Sequence, residues 1–172
     1  MKLAKSSINA VLIAAALAVS VPWDAVAADG SATGTLTYKS PVGPITVALK
    51  YGWLVKGPDP IDPKVTIRHL IFSTTDLGAK IAGCKTMSCM DAAVGSGMTV
   101  DLGAGTRLNY WVSLNDQRVQ YSGSALTNAL KRTADTPTRL AGKLTIDDTA
   151  AGGAKVDVEF DTPLAQELKL AP

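Results

Sequence analysis

The stretch that decides the fold is Ala154-Lys155-Val156-Asp157-Val158-Glu159-Phe160-Asp161. Val156, Val158 and Phe160 alternate with Lys155, Asp157, Glu159 and Asp161, and successive side chains of an extended chain point to opposite faces. A helix would spread the same apolar residues around its circumference. The segment is therefore a strand with one buried and one solvated face. Immediately upstream, Leu140 to Asp147 also reads as a strand. The connection Asp148 to Gly153 is rich in Asp, Thr and Gly, the composition of a hairpin turn.

Working outward, the same period marks Leu36 and Tyr38 in a first strand. It also marks Ile45, Val47, Leu49, Tyr51, Trp53 and Val55 in a longer one, with a kink expected at Gly52. Pro58, Pro60 and Pro63 cannot donate to a ladder, so Gly57 to Pro63 is a loop before a strand from Lys64 to Ser73. Further strands are predicted at Met98 to Leu102, Arg107 to Leu114 and Arg118 to Gly123. Asp occurs thirteen times and Glu twice, which favours turns and caps over helices. Two segments break the alternation. Thr75 to Gly95 carries Leu77, Ile81, Met87, Met90 and Val94, with Asp76 placed to cap a short helix. Ser124 to Asp135 carries Leu126, Ala129 and Leu130 at helical spacing and reads as a short helix or a mobile excursion. The pattern predicts an all-β fold: an antiparallel β-sandwich, immunoglobulin-like or related, of about eight strands with one or two short helical insertions. A small β-barrel is the alternative.

The amino terminus supplies an address. Lys2 and Lys5 precede an apolar run from Ile8 to Val21, and Pro22 breaks it ahead of Ala25-Val26-Ala27. This order predicts a secretory signal over residues 1–27, cleaved after Ala27, because about 14 apolar residues fall short of the roughly 20 that span a bilayer. The mature chain, 28–172, is then one domain of about 145 residues, periplasmic or secreted and not inserted in a membrane. The full chain has 17 Lys+Arg against 15 Asp+Glu. Losing Lys2, Lys5 and Asp24 leaves 15 against 14, which argues against a nucleic-acid partner.

Cys84 and Cys89 are the only cysteines, and in an oxidising compartment a turn brings two thiols five positions apart within bridging range. A disulfide is expected. The alternative is a periplasmic copper site built from Cys84, Met87, Cys89 and Met90 with His69, which has ligands of the right softness but no specific spacing. His69 is the single histidine and shares a strand face with Val65, Ile67 and Ile71. It reads as a hydrogen-bonded interior or edge histidine, and the sequence leaves open whether Asp76 or Asp101 approaches it. With one His no multi-histidine zinc site can be built, and no nucleophile or metalloprotease motif is present. An enzyme of unknown class is thus the least favoured reading, and no cofactor is implied. The pairs Asp59/Asp62 and Asp147/Asp148 lack the spacing of a calcium loop and read as turn residues.

On the strand Arg107 to Leu114, Leu108, Tyr110, Val112 and Leu114 take one face, leaving Arg107, Asn109 and Trp111 on the other. A Trp flanked by Asn and Arg is a surface that stacks on a sugar or anchors a protein partner, unless an insertion covers it. Gly34-Thr35-Leu36-Thr37, Ile71-Phe72-Ser73-Thr74-Thr75-Asp76 and Ala141-Gly142-Lys143-Leu144 before the closing strand resemble, in order, small exported β-proteins of Gram-negative bacteria. That resemblance implies a β fold and an export address, and no activity. The resulting expectation is an exported, non-catalytic binding or interaction module for a protein or glycan. Its contact surface would be formed by the insertions Thr75 to Gly95 and Ser124 to Asp135, with Trp111 beside them.

Overall fold

The computed structural model describes residues 30–41, 43–103 and 105–169; the signal expected over 1–27 lies outside them. Nine strands form β1 (Gly30–Ser40), β2 (Gly43–Pro58), β3 (Thr66–Ser73), β4 (Ser96–Leu102), β5 (Arg107–Leu114), β6 (Val119–Leu126), β7 (Leu130–Thr136), β8 (Arg139–Asp147) and β9 (Ala154–Glu167). All belong to one sheet in the order β6-β5-β4-β3-β2-β1-β9-β8-β7. Each neighbouring pair in that order is antiparallel. Beyond β1, β9 also runs parallel to β2, from Leu54 opposite Leu164 to Lys56 opposite Glu167.

The sheet curls into a half-barrel whose concave face holds the main core. Leu36, Leu54, Leu70, Phe72, Val100, Tyr110, Leu144, Val156 and Val158 are all at or below 1% exposure there. The two wings meet across it: the Phe72 and Phe160 rings pack edge to face at 5.3 Å, and the Arg68 guanidinium on β3 pairs with Asp135 on β7. At one end the Tyr110 hydroxyl donates to Asp148 in the β8–β9 turn. Burial, with the Asp148 carboxylate second, pushes the Tyr110 phenol far above its ordinary range, so it stays a neutral donor. The alternation reading thus holds for the strand class but not for the sandwich or the closed barrel. A twisted sheet that folds over its own concave face covers its core without a second sheet.

Other expectations change at particular residues. Ser124 to Asp135 is no helical excursion: it ends β6, makes one 3-10 turn at Thr127–Ala129 and enters β7, a ninth strand on the edge of β8. Leu130 packs into the main core while Leu126 is 57% exposed, so their helical spacing reflects no common apolar face. The apolar positions of β2 divide between two cores. Ile45, Val47 and Leu49 pack with the concave core, but Tyr51, Trp53 and Val55 belong to a second one. The changeover lies between Leu49 and Tyr51, opposite a bulge in β1 between Ser31 and Gly34 and just before the kink expected at Gly52. Val65 lies before β3 and is 42% exposed rather than core.

The second core covers the outer face of β2 and β3. Thr75 to Gly95 folds into α1 (Gly78–Gly83) and α2 (Met87–Ala93). The Gly78 N–H bonds the Asp76 carboxylate at 2.7 Å, and the Thr86 hydroxyl accepts from the Cys89 N–H at 3.1 Å, capping α2. Ile81, Met87, Met90 and Val94 seat on Trp53, Ile67 and Ile71. Cys84 and Cys89 are joined in a disulfide with Cα atoms 5.6 Å apart, and Gln166 donates to the Cys84 carbonyl, tying the helix pair to the end of β9. Covered by the concave core on one side and the helices on the other, β3 is buried on both faces from His69 to Ser73.

Candidate functional site

On the outer face Thr99 of β4 is still buried, whereas Asn109 and Trp111 of β5 and Gln120 and Ser122 of β6, beyond α2, are exposed. Register sets its side chains in three rows across neighbouring strands. The first is His69-Asp101-Asn109-Ser124, the second Ile71-Thr99-Trp111-Ser122, and the third Ser73-Gly97-Ser113-Gln120. Strands stand about 4.8 Å apart, so the rows set mostly polar side chains beside one another, with the Trp111 ring in the middle row. Asp101 directly faces Asn109, and Trp111 is its diagonal neighbour.

This face is the floor of a concavity of about 630 Å³. One wall is α2, with Met87, Ser88 and Asp91, continued by Val94 just after it; a second is the loop Asp59-Pro60-Ile61; Gln120 and Ser122 of β6 close the far side. Trp111 keeps 42% of its surface exposed on the floor and Ile61 95% on the loop, so apolar surface is open on the floor and on one wall. Asp59 takes two backbone N–H bonds, from Ile61 at 2.7 Å and Asp62 at 3.3 Å, while Asp62 takes one from Lys64. Proline-flanked Asx turns thus shape the loop, as the sequence suggests.

His69 sits at the seam between this face and α2, 3% exposed. Its Nδ1 hydrogen-bonds Asp101 and its Nε2 stands 2.9 Å from Asp91, out of line for a hydrogen bond. Burial alone would lower the imidazole pKa, but the two carboxylates outweigh it and raise the value to about 9. His69 is therefore an imidazolium at neutral pH, clamping α2 to β4.

Of the surface residues singled out in the sequence, Asn109 and Trp111 line the concavity. Arg107 lines a smaller adjoining hollow and is held by Ser124, its Nε and Nη2 donating to the hydroxyl at 3.0 and 2.8 Å. The first insertion supplies a wall through α2. The second does not: Ser124 to Asp135 leaves β6 for the opposite edge of the sheet and contributes nothing to the lining. Asp101 is the acid that reaches His69; Asp76 instead turns the chain into α1. Asp91, Gln120 and Ser122 were not singled out from sequence. Register alone brings the last two beside Trp111, while Asp91 depends on where α2 docks. The copper alternative does not assemble in the oxidised chain: the sulfurs of Cys84 and Cys89 are bonded to each other, and Met87 and Met90 are buried in the helix-covered core. No protein-family model, curated protein or solved structure matches this sequence or fold.

Proposed function

We propose that the mature chain is an exported binding module, periplasmic or secreted and without a catalytic role, whose ligand seats over Trp111 in the concavity between α2 and β6. The observation that carries this is a large aromatic left 42% exposed at the centre of a concave polar floor, where Trp53, Phe72, Tyr110 and Phe160 are buried and, among the described residues, no other aromatic ring is classed as exposed. Roughly 100 Å² of that ring stays in water, and covering it is worth about 2 to 3 kcal/mol. Around it Asn109, Ser113, Gln120 and Ser122 offer donors and acceptors that fix orientation, the composition expected of a recognition cleft. The scaffold is rigid where it matters, since Trp111 lies on a strand paired along its length to both neighbours.

A glycan and a segment of a protein partner both answer this description. A glycan array and a pull-down from periplasmic extract, run with the mature oxidised chain, test the reading. Trp111→Ala is expected to weaken the recovered interaction by about tenfold or more, in line with the covered area, while leaving the unfolding midpoint nearly unchanged. An interaction indifferent to Trp111→Ala and Asn109→Ala places the binding surface elsewhere. A hydrolytic activity abolished by His69→Ala replaces the binding module with an enzyme.

A further inference from the structure

We infer that the group received by this concavity is an organic cation, an ammonium or guanidinium on an apolar stem, with the stem against Trp111 and the charge toward Asp91 and Asp101. The inference rests on the concavity being the binding site. Its lining contains three carboxylates, Asp59, Asp91 and Asp101, and neither Lys nor Arg. The one cation in the wall, His69, is already shared between two of them, so the cluster keeps a net negative charge. The nearest arginine, Arg107, lies in the adjoining hollow and is committed to Ser124.

Two further observations direct the charge inward. Asp91 makes no aligned hydrogen bond with the buried His69 Nε2, and its side chain is 45% exposed, so its carboxylate retains acceptor capacity facing the opening. Trp111 is the diagonal cross-strand neighbour of Asp101, which places their Cβ atoms within roughly 7 Å, the span of an ammonium lodged between a ring face and a carboxylate. The face of an indole is the electronegative part of its quadrupole and attracts a cation, the more so in a partly desolvated cleft. An anionic group would meet only repulsion from this wall, and a neutral sugar would stack without using its charge.

The cation could be a free polyamine or a Lys or Arg side chain of a protein partner. Calorimetry on the mature oxidised chain at low salt separates these sources and the alternatives. The probes are spermidine, a short N-acetylated peptide amide carrying one Arg, and the same peptide with citrulline replacing it. The expected result is that one cationic probe binds at least tenfold tighter than the citrulline peptide. That preference should fall with added salt and drop about fivefold or more in Asp91→Asn and in Trp111→Ala. The stronger of spermidine and the Arg peptide identifies the source. Asp91→Asn is chosen because the residue is half exposed, and a circular dichroism spectrum matching wild type shows that the variant is folded. Equal affinity for the Arg and citrulline peptides overturns the cation and leaves the binding reading intact. So does failure of both cations where a neutral glycan binds in a Trp111-dependent way. If the cations fail and no recovered interaction depends on Trp111, both readings fall together.

Discussion

The chain contains one histidine, so the clamp between α2 and β4 can be followed through a single titration. His69 is 3% exposed, and its pKa is raised from 6.5 to about 9 because Asp101 and Asp91 outweigh the cost of burying its charge. A group whose pKa is higher in the folded than in the unfolded state contributes stability fully present below the unfolded value and lost as pH rises through the folded one. The window is thus pH 6.5 to 9. At about 1.4 kcal/mol per tenfold change in equilibrium, the shift corresponds to about 3 kcal/mol. That is an upper figure, because water reaches Asp91, whose side chain is 45% exposed. The perturbation is to raise pH from 6 to 9.5, and the assay is urea unfolding of oxidised wild type beside His69→Gln. The variant cancels contributions from other titrating groups. Wild type is expected to lose about 2 to 3 kcal/mol relative to the variant across that interval, and two-dimensional NMR of the imidazole should place its midpoint well above 8. Removing the carboxylate charge beside Nδ1 in Asp101→Asn should move that midpoint down. A midpoint at or below 6.5, or a stability difference flat with pH, refutes the clamp.

Three other outcomes follow from packing. Gly123→Ala would place a Cβ 2.5 Å from the Tyr110 hydroxyl, a buried ring held by Asp148, and is expected to cost more than about 2 kcal/mol in chemical denaturation; Gly83→Ala, at the end of α1 with open space around it, should be neutral or stabilise by about half a kcal/mol. Val158→Asp puts a charge among fully buried side chains and should cost about 3 kcal/mol or more, whereas Lys155→Gln, losing only an exposed pair with Asp147, should cost less than about 1 kcal/mol; equal effects would invalidate the facing of β9. Reducing Cys84–Cys89 should lower stability by only about 2 kcal/mol, because the closed loop is short, and hydrogen exchange should rise in α1 and α2 while β8 and β9 stay protected.

Part of this molecule is written in local pattern. The alternation of Val156, Val158 and Phe160 and that of Leu108, Tyr110, Val112 and Leu114 correctly assign which side chains enter the concave core, because a side-chain period of two reports whether a face is covered. The same parity turns Trp111 outward and puts His69 on the side of Ile67 and Ile71. The short spacing of Cys84 and Cys89 likewise suffices for their bridge.

What the alternation does not report is by what a face is covered, or which strand lies alongside. Strand order is carried by backbone hydrogen bonds between residues far apart in sequence, and these leave no mark on residue type. Hence nine strands in one curled sheet replaced the expected sandwich, and β7 was hidden because an edge strand with one buried residue, Leu130, has no alternation to display. For the same reason Ile45 and Trp53, in phase along β2, serve different cores: the phase is local, and the cores are set by where the sheet bends and the helices dock. The sequence by itself determined eight of the nine strands, the core-facing sides of β5 and β9, and the disulfide. Only the tertiary structure decided that α2 would stop short of Trp111 and carry Asp91 to His69, because that contact joins chain segments whose separation in space is fixed by the register of β3, β4 and β5 and the docking of the helix pair.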